Sequence, residues 1–146
     1  MTTLSLEHFL PNGREPADIA AALETAGATR IALVAACVGV ENFRLDFEAR
    51  GDEDGAKLLG AAALKLKGQA LKIWNVIAAI KALDPDWSAE RDKALDARLE
   101  AMAADAEAGQ WMIDAAENFL KLALSEVRLS ALEVAAAEDA EVADVG

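Results

Sequence analysis

Apolar positions recur along most of this chain at spacings of three and four residues, the period of helices that bury one side. Residues 1–15 end in the turn signal Pro11-Asn12-Gly13 and read as a short helix or an extended arm. Glu15-Pro16 then opens a helix, because proline is tolerated in a first turn where its missing N–H has no partner to lose. Ile19 and Leu23 follow at four-residue spacing, and Gly27 is expected to end this helix near residue 26. Residues 29–50 admit two readings. As a helix, Leu33, Cys37, Val40, Phe43 and Phe47 line one side, with Ile31, Val34, Val38 and Leu45 beside them, and Gly51 closes it. As strand, Phe43, Leu45 and Phe47 alternate with Arg44, Asp46 and Glu48. Helix is preferred, since a lone hairpin has no sheet to join, and the hairpin stays as the alternative.

Asp52, Glu53 and Asp54 place negative charge where a helix N-terminus favours it, and the helix they open is expected to run to about Leu83. Leu58, Leu59, Leu66, Ile73, Val76, Ile77 and Ile80 fall in one arc of it, while Leu64, Leu71 and Trp74 lie well round from that arc. Two apolar strips require two neighbours. Such a helix belongs in the middle of a bundle, or at a bundle edge with its second surface left for a partner chain. Asp84-Pro85-Asp86-Trp87 is the clearest boundary, with an N-cap carboxylate and proline at a first helical position, so a further helix is expected from there with Ser88 in its first turn. Leu95, Leu99, Met102 and Ala106 continue the helical spacing, and apolar density rises again through Trp111, Ile113, Phe119, Leu122, Val127 and Leu132. Unbroken from 85 to 136 this segment would be ~78 Å long at ~1.5 Å per residue, against a compact domain only about 40 Å across. A break or kink is expected at residues 108–110, around Gly109; one continuous helix in an elongated, self-assembled molecule is the alternative.

These elements amount to an all-α fold, a helical bundle of four to five helices, with an elongated and oligomeric form as the alternative to a compact one. An N-terminal arm at 1–15 precedes the bundle at 16–136, and a flexible acidic tail is expected at 137–146. Composition agrees: of 146 residues 35 are alanine, and apolar residues reach 54% with aromatic ones at only 5%. A chain of this length can bury enough surface to fold as one domain without disulfides or metals. Its single cysteine, Cys37, sits in an apolar run and is expected to be a buried small hydrophobe. The N-terminus does not read as a secretion signal, and the longest nearly uncharged stretches, 31–40 and 73–80, fall short of the ~20 residues that cross a bilayer. A cytoplasmic protein is the expectation.

Charge is distributed unevenly. The net charge is −12, yet Gly55 to Leu83 holds Lys57, Lys65, Lys67, Lys72 and Lys81 and no acidic residue. The chain thus carries one basic helix between acidic flanks, and contact with nucleic acid or an anionic membrane is opposed by the sum.

No recognisable chemistry accompanies the pattern. A di-iron or di-manganese bundle takes Glu-x-x-His from each of two helices, whereas this chain has one histidine, His8, in its N-terminal arm. Its serines lack a nucleophile-elbow context, and its glycines form neither phosphate-binding fingerprint. Gly60 and Gly68 are instead expected to let helices approach closely. No cofactor or metal is therefore expected, and the protein reads as non-enzymatic. A mean hydropathy of +0.17 with few aromatics leaves more aliphatic surface than one short bundle readily hides. Association with another chain follows, most simply as a homo-oligomer, with a symmetric dimer first, because one self-complementary patch closes the assembly. Trp87, Trp111, Phe119, Leu122 and Leu129 are the candidate protein interface, Trp87 being the most exposed tryptophan by context and tryptophan being common at binding hot spots. A structural, assembly or adaptor subunit fits this reading. The alternative is an acidic helical inhibitor that mimics nucleic acid and blocks a nucleic-acid-binding enzyme.

Overall fold

The computed structural model describes the backbone of residues 4–11 and 13–145, and side chains as far as Arg128. The candidate Leu129 and the expected acidic tail fall outside the described side chains. Five helices follow one another with no strand among the described residues: α1 (Leu6–Phe9), α2 (Pro16–Ala49), α3 (Glu53–Ala82), α4 (Ala89–Ala104) and α5 (Ala106–Val145). The all-α bundle expected from the apolar period is what the chain forms, and residues 29–50 are helix, not hairpin.

α2 and α3 make a long antiparallel pair that forms most of the core. The turn between them is fully specified by local chemistry. Gly51 takes a left-handed φ of +79°, the Asp52 N–H donates to the Phe47 carbonyl at 2.9 Å, and the Gly51 N–H donates to that of Glu48 at 3.0 Å. These are the two bonds of a Schellman stop. Asp52 then caps α3, its carboxylate accepting from the Gly55 N–H at 2.9 Å. Leu23, Leu33 and Val40 of α2 meet Leu66, Ile73 and Ile80 of α3, all essentially inaccessible to water, and Ala123 and Val127 of α5 close the same cluster. Leu4, Phe9 and Leu10 from the arm add to it, with Ser5 capping α1.

Three boundaries differ from the expectation. Gly27 does not end a helix; α2 runs through it for 34 residues. A β-carbon at Gly27 would lie 2.7 Å from Leu99 Cδ1, so this glycine admits the Leu99 side chain of α4 to the surface of α2. Joining the two segments also gives α2 a stretch long and apolar enough to cross a membrane, which the division at Gly27 hid; half of that stretch is buried within the bundle. Second, Asp84-Pro85-Asp86-Trp87 forms a turn rather than a helix start. Asp84 accepts from the Asp86 and Trp87 N–H groups, and α4 begins four residues later, where Ser88 caps it by accepting from the Arg91 N–H at 3.3 Å. Third, the break in the 85–136 segment is at Asp105, whose extended backbone (ψ 142°) separates α4 from α5, while Gly109 lies inside the first turn of α5. Asp105 caps that turn, its carboxylate accepting from the Glu107 and Ala108 N–H groups at 3.1 and 3.0 Å.

α4 contributes no buried residue. It leans on α2 through half-buried Leu95 and Leu99 and an Arg98–Glu24 ion pair of 3.0 Å, and so behaves as a strap on the α2–α3–α5 core.

Candidate functional site

Among the described residues no three His, Cys, Asp or Glu side chains gather as a metal site. His8 is exposed and stands edge-on to Phe9, ring centroids 5.0 Å apart. Cys37 is half-buried rather than sealed in the core; partial burial raises its pKa, an effect that Lys67 partly opposes, so the thiol is a poor nucleophile at neutral pH.

What the fold presents instead is apolar surface. The first such surface runs along the outer groove of the α2–α3 pair. Arg30 sits over the Trp74 ring at 4.4 Å, Glu41 pairs with Lys67 at 3.3 Å, and the Arg44 stem passes 3.6 Å from where a Gly60 β-carbon would be. These contacts fix the register, and between them Val34, Cys37 and Val38 of α2 line one groove with Ala70, Leu71 and Trp74 of α3. Leu45 and Leu64 extend the strips by one heptad at the same end. Val34, Val38, Leu45, Leu64, Leu71 and Trp74 are each between 43% and 70% exposed, although Val34, Val38 and Leu45 were expected beside a buried face. α3 therefore lies at the edge of the bundle: one strip is in the core and the other faces water. Gly68, expected at a close approach, meets nothing within 4 Å.

A second surface lies on α5. Trp111, Phe119 and Leu122, three of the five residues proposed from sequence, line one shallow depression with Asp114, Ala115 and Asn118. Trp111 and Leu122 are exposed and Phe119 is half-buried. Between α2 and α5 runs a third groove of about 580 Å³, floored by Ala32, Ala35, Ala36 and Gly39 and edged by Ile31, Ile113 and Leu120. Small side chains on α2 leave this space because they do not fill the gap between two helices.

Trp87 is separate from all of these. It is half-buried at the α3–α4 turn and more covered than Trp74 or Trp111, contrary to its expected exposure. Its indole N–H donates to Asp92 Oδ1 at 2.7 Å, Lys81 and Arg91 lie over its ring at 5.6 and 4.7 Å, and Arg91 in turn pairs with Asp84. Lys81 also reaches Asp92 at 2.7 Å. The ammonium of Lys81 first, and the Trp87 N–H second, hold the Asp92 carboxyl below its ordinary value. Trp87 is thus engaged within its own chain as the centre of a clamp between two helices.

The apolar outer strip of α3 was legible as a second surface, but its partner strip on α2 was not. Periodicity shows that a helix has a wide apolar side and does not say how much of it a neighbour covers. No protein family, no curated protein and no solved structure matches this chain.

Proposed function

We propose that this protein acts by association through exposed apolar helix faces, as a non-enzymatic, self-assembling structural, assembly or adaptor subunit of the cytoplasm. One observation carries the reading: among the described residues ten large apolar side chains, Trp74 and Trp111 among them, are at least 43% exposed in the isolated chain, and most of them gather on two surfaces. Apolar patches on a monomer rarely exceed a few hundred Å², and larger ones mark contact sites. Among the described residues no three His, Cys, Asp or Glu side chains gather as a metal site, and burial pushes the Cys37 thiol up, away from its reactive form. Subunit mass by native mass spectrometry at near-physiological ionic strength tests it. A defined oligomer is expected. A chain that stays single at micromolar concentration refutes self-assembly, and extra mass from a bound small molecule refutes the purely structural role.

The acidic-mimic reading draws on a different observation. Among the described residues only Glu24, Glu41, Glu48, Asp84, Asp92 and Glu126 are ion-paired, so many carboxylates remain facing water. Salt separates the two: attraction to a basic partner weakens steeply as salt rises, whereas apolar association persists.

A further inference from the structure

Resting on the association reading, we infer that the outer α2–α3 face is the site of a second copy of this chain, the two copies being related by a two-fold axis that runs parallel to the hairpin and builds a four-helix layer. Size is the first argument. Val34, Val38, Leu45, Leu64, Leu71 and Trp74 together expose an area that their fractional exposures put at roughly 700 Å², beyond the ~300–600 Å² of the largest patch on a typical monomer and close to the ~800 Å² that each partner contributes to a standard interface. The α5 depression has fewer large exposed side chains, Trp111 and Leu122, and offers much less.

Charge is the second argument, and it chooses the symmetry. α2 carries Asp18, Glu24, Glu41, Asp46 and Glu48 against Arg30 and Arg44, a net −3; α3 carries five lysines against Glu53 and Asp54, a net +3. On the face itself α2 presents Glu41 and Glu48 together with Arg30 and Arg44, and α3 presents Lys57 and Lys67 against Glu53, so the α2 side is balanced and the α3 side is basic. A two-fold axis perpendicular to the helices and in the plane of the face would lay α2 on α2 and α3 on α3, opposing one basic strip to another. A two-fold axis parallel to the helices lays each α2 on the partner's α3, so the lysines of α3 meet the side that carries Glu41 and Glu48. Equivalent residues then stand at equal heights along the axis. Glu48 and Lys57 already share a height, since both line one depression at the hairpin end. In the pair, Glu48 of one copy faces Lys57 of the other, and Val34 and Val38 come opposite Leu71 and Trp74.

The test compares sedimentation equilibrium of four forms: wild type, Leu71→Glu, Leu122→Glu, and a mixture of Lys57→Glu chains with Glu48→Lys chains. Leu71 and Leu122 are exposed, so both glutamate variants are expected to keep the wild-type helical circular dichroism. Leu71→Glu should sediment as a single chain and Leu122→Glu as a dimer. Each charge variant alone should dimerise about tenfold more weakly than wild type, and mixing should recover at least half of that loss on a logarithmic scale, because both cross-copy contacts are restored only in the mixed pair. Dissociation by Leu122→Glu with a persisting Leu71→Glu dimer would overturn this face while leaving the association reading intact. A mixture no tighter than its components would overturn the symmetry. A wild-type chain that never pairs would overturn the face and the association reading together.

Discussion

At the corner between α4 and α5 the two helices approach most closely at Gly109, and replacing it by alanine probes that approach. A β-carbon at Gly109 would lie 2.7 Å from the carbonyl oxygen of Ala103, in the last turn of α4, and 3.5 Å from the carbon of the same carbonyl. That oxygen belongs to backbone and has no rotamer to move out of the way, so the two helices must separate by several tenths of an ångström. Overpacking of this kind costs roughly 1–3 kcal/mol, and alanine recovers about 1 kcal/mol of helix propensity relative to glycine. The net expectation is a loss of about 1 kcal/mol, or a melting temperature lower by about 3 °C for a chain of this size. Gly39→Ala supplies the contrast. Gly39 is also inside a helix, yet nothing lies within 4 Å of its added β-carbon, so only the propensity gain of about 1 kcal/mol applies and melting should rise by about 3 °C. The assay is thermal melting followed by circular dichroism at one fixed chain concentration, because assembly makes the midpoint concentration-dependent. A Gly109→Ala protein that melts above wild type, alongside Gly39→Ala, would refute the close approach of α5 to the end of α4.

Two further outcomes follow from the same structure. Leu66→Ala should cost about 2–5 kcal/mol in urea unfolding, as Leu66 is fully buried, whereas Leu64→Ala, two residues away and 70% exposed, should stay within about 0.5 kcal/mol in the dissociated chain; equal losses would mean that the two strips of α3 are misassigned. Stability should also fall on the acid side. Glu41, held down first by its bond to Arg44 and then by Lys67, and Asp92, held down first by Lys81 and then by Trp87, both have folded pKa values below the ordinary 4.5 and 3.8. Their contribution is complete above those ordinary values and is lost as pH falls through the lowered ones. Glu41→Gln and Asp92→Asn should each flatten the decline below about pH 4.5, and the decline should shrink in high salt because both carboxylates are near the surface; an unchanged acid limb in both variants would show that these bonds do not persist in solution.

Features whose chemistry is local could be read from the chain alone. Gly51 followed by Asp52 dictates a left-handed stop and an immediate cap, because both hydrogen bonds of the stop and the cap bond close within six residues. The buried arc of α3 was equally legible, since Leu59, Leu66, Ile73, Ile77 and Ile80 share one face whatever they pack on. The misplaced boundaries all involve a residue with two local meanings. Gly27 and Gly109 look like helix stops, and neither adopts the positive φ that a stop uses; each is a site of close approach to α4, through Leu99 in one case and the Ala103 carbonyl in the other. Asp84 before Pro85 fits an N-cap or a turn, and the turn prevails here because Trp87 is held by Asp92 and Arg91, while Ser88 supplies the cap one turn later.

The candidate surface was harder to read for a related reason. Trp87 stands among Asp86, Ser88 and Asp84, a polar setting that suggests exposure, yet its ring is covered by two cations that are themselves paired with carboxylates. Trp74 lies among leucines and isoleucines, a setting that suggests burial, and is 54% exposed. Alanine explains the inversion. α2 buries Ala22, Ala26, Ala32 and Ala36 where it meets its neighbours, small side chains that hide little apolar area, and the large ones at Val34, Val38, Leu64 and Leu71 have no third helix to cover them. A core that mixes alanine with leucine and isoleucine on both α2 and α3 needs few aromatic residues inside. The tryptophans Trp74 and Trp111 and the leucines Leu64 and Leu71 stay on the outside, and they supply the apolar faces on which the proposed association rests.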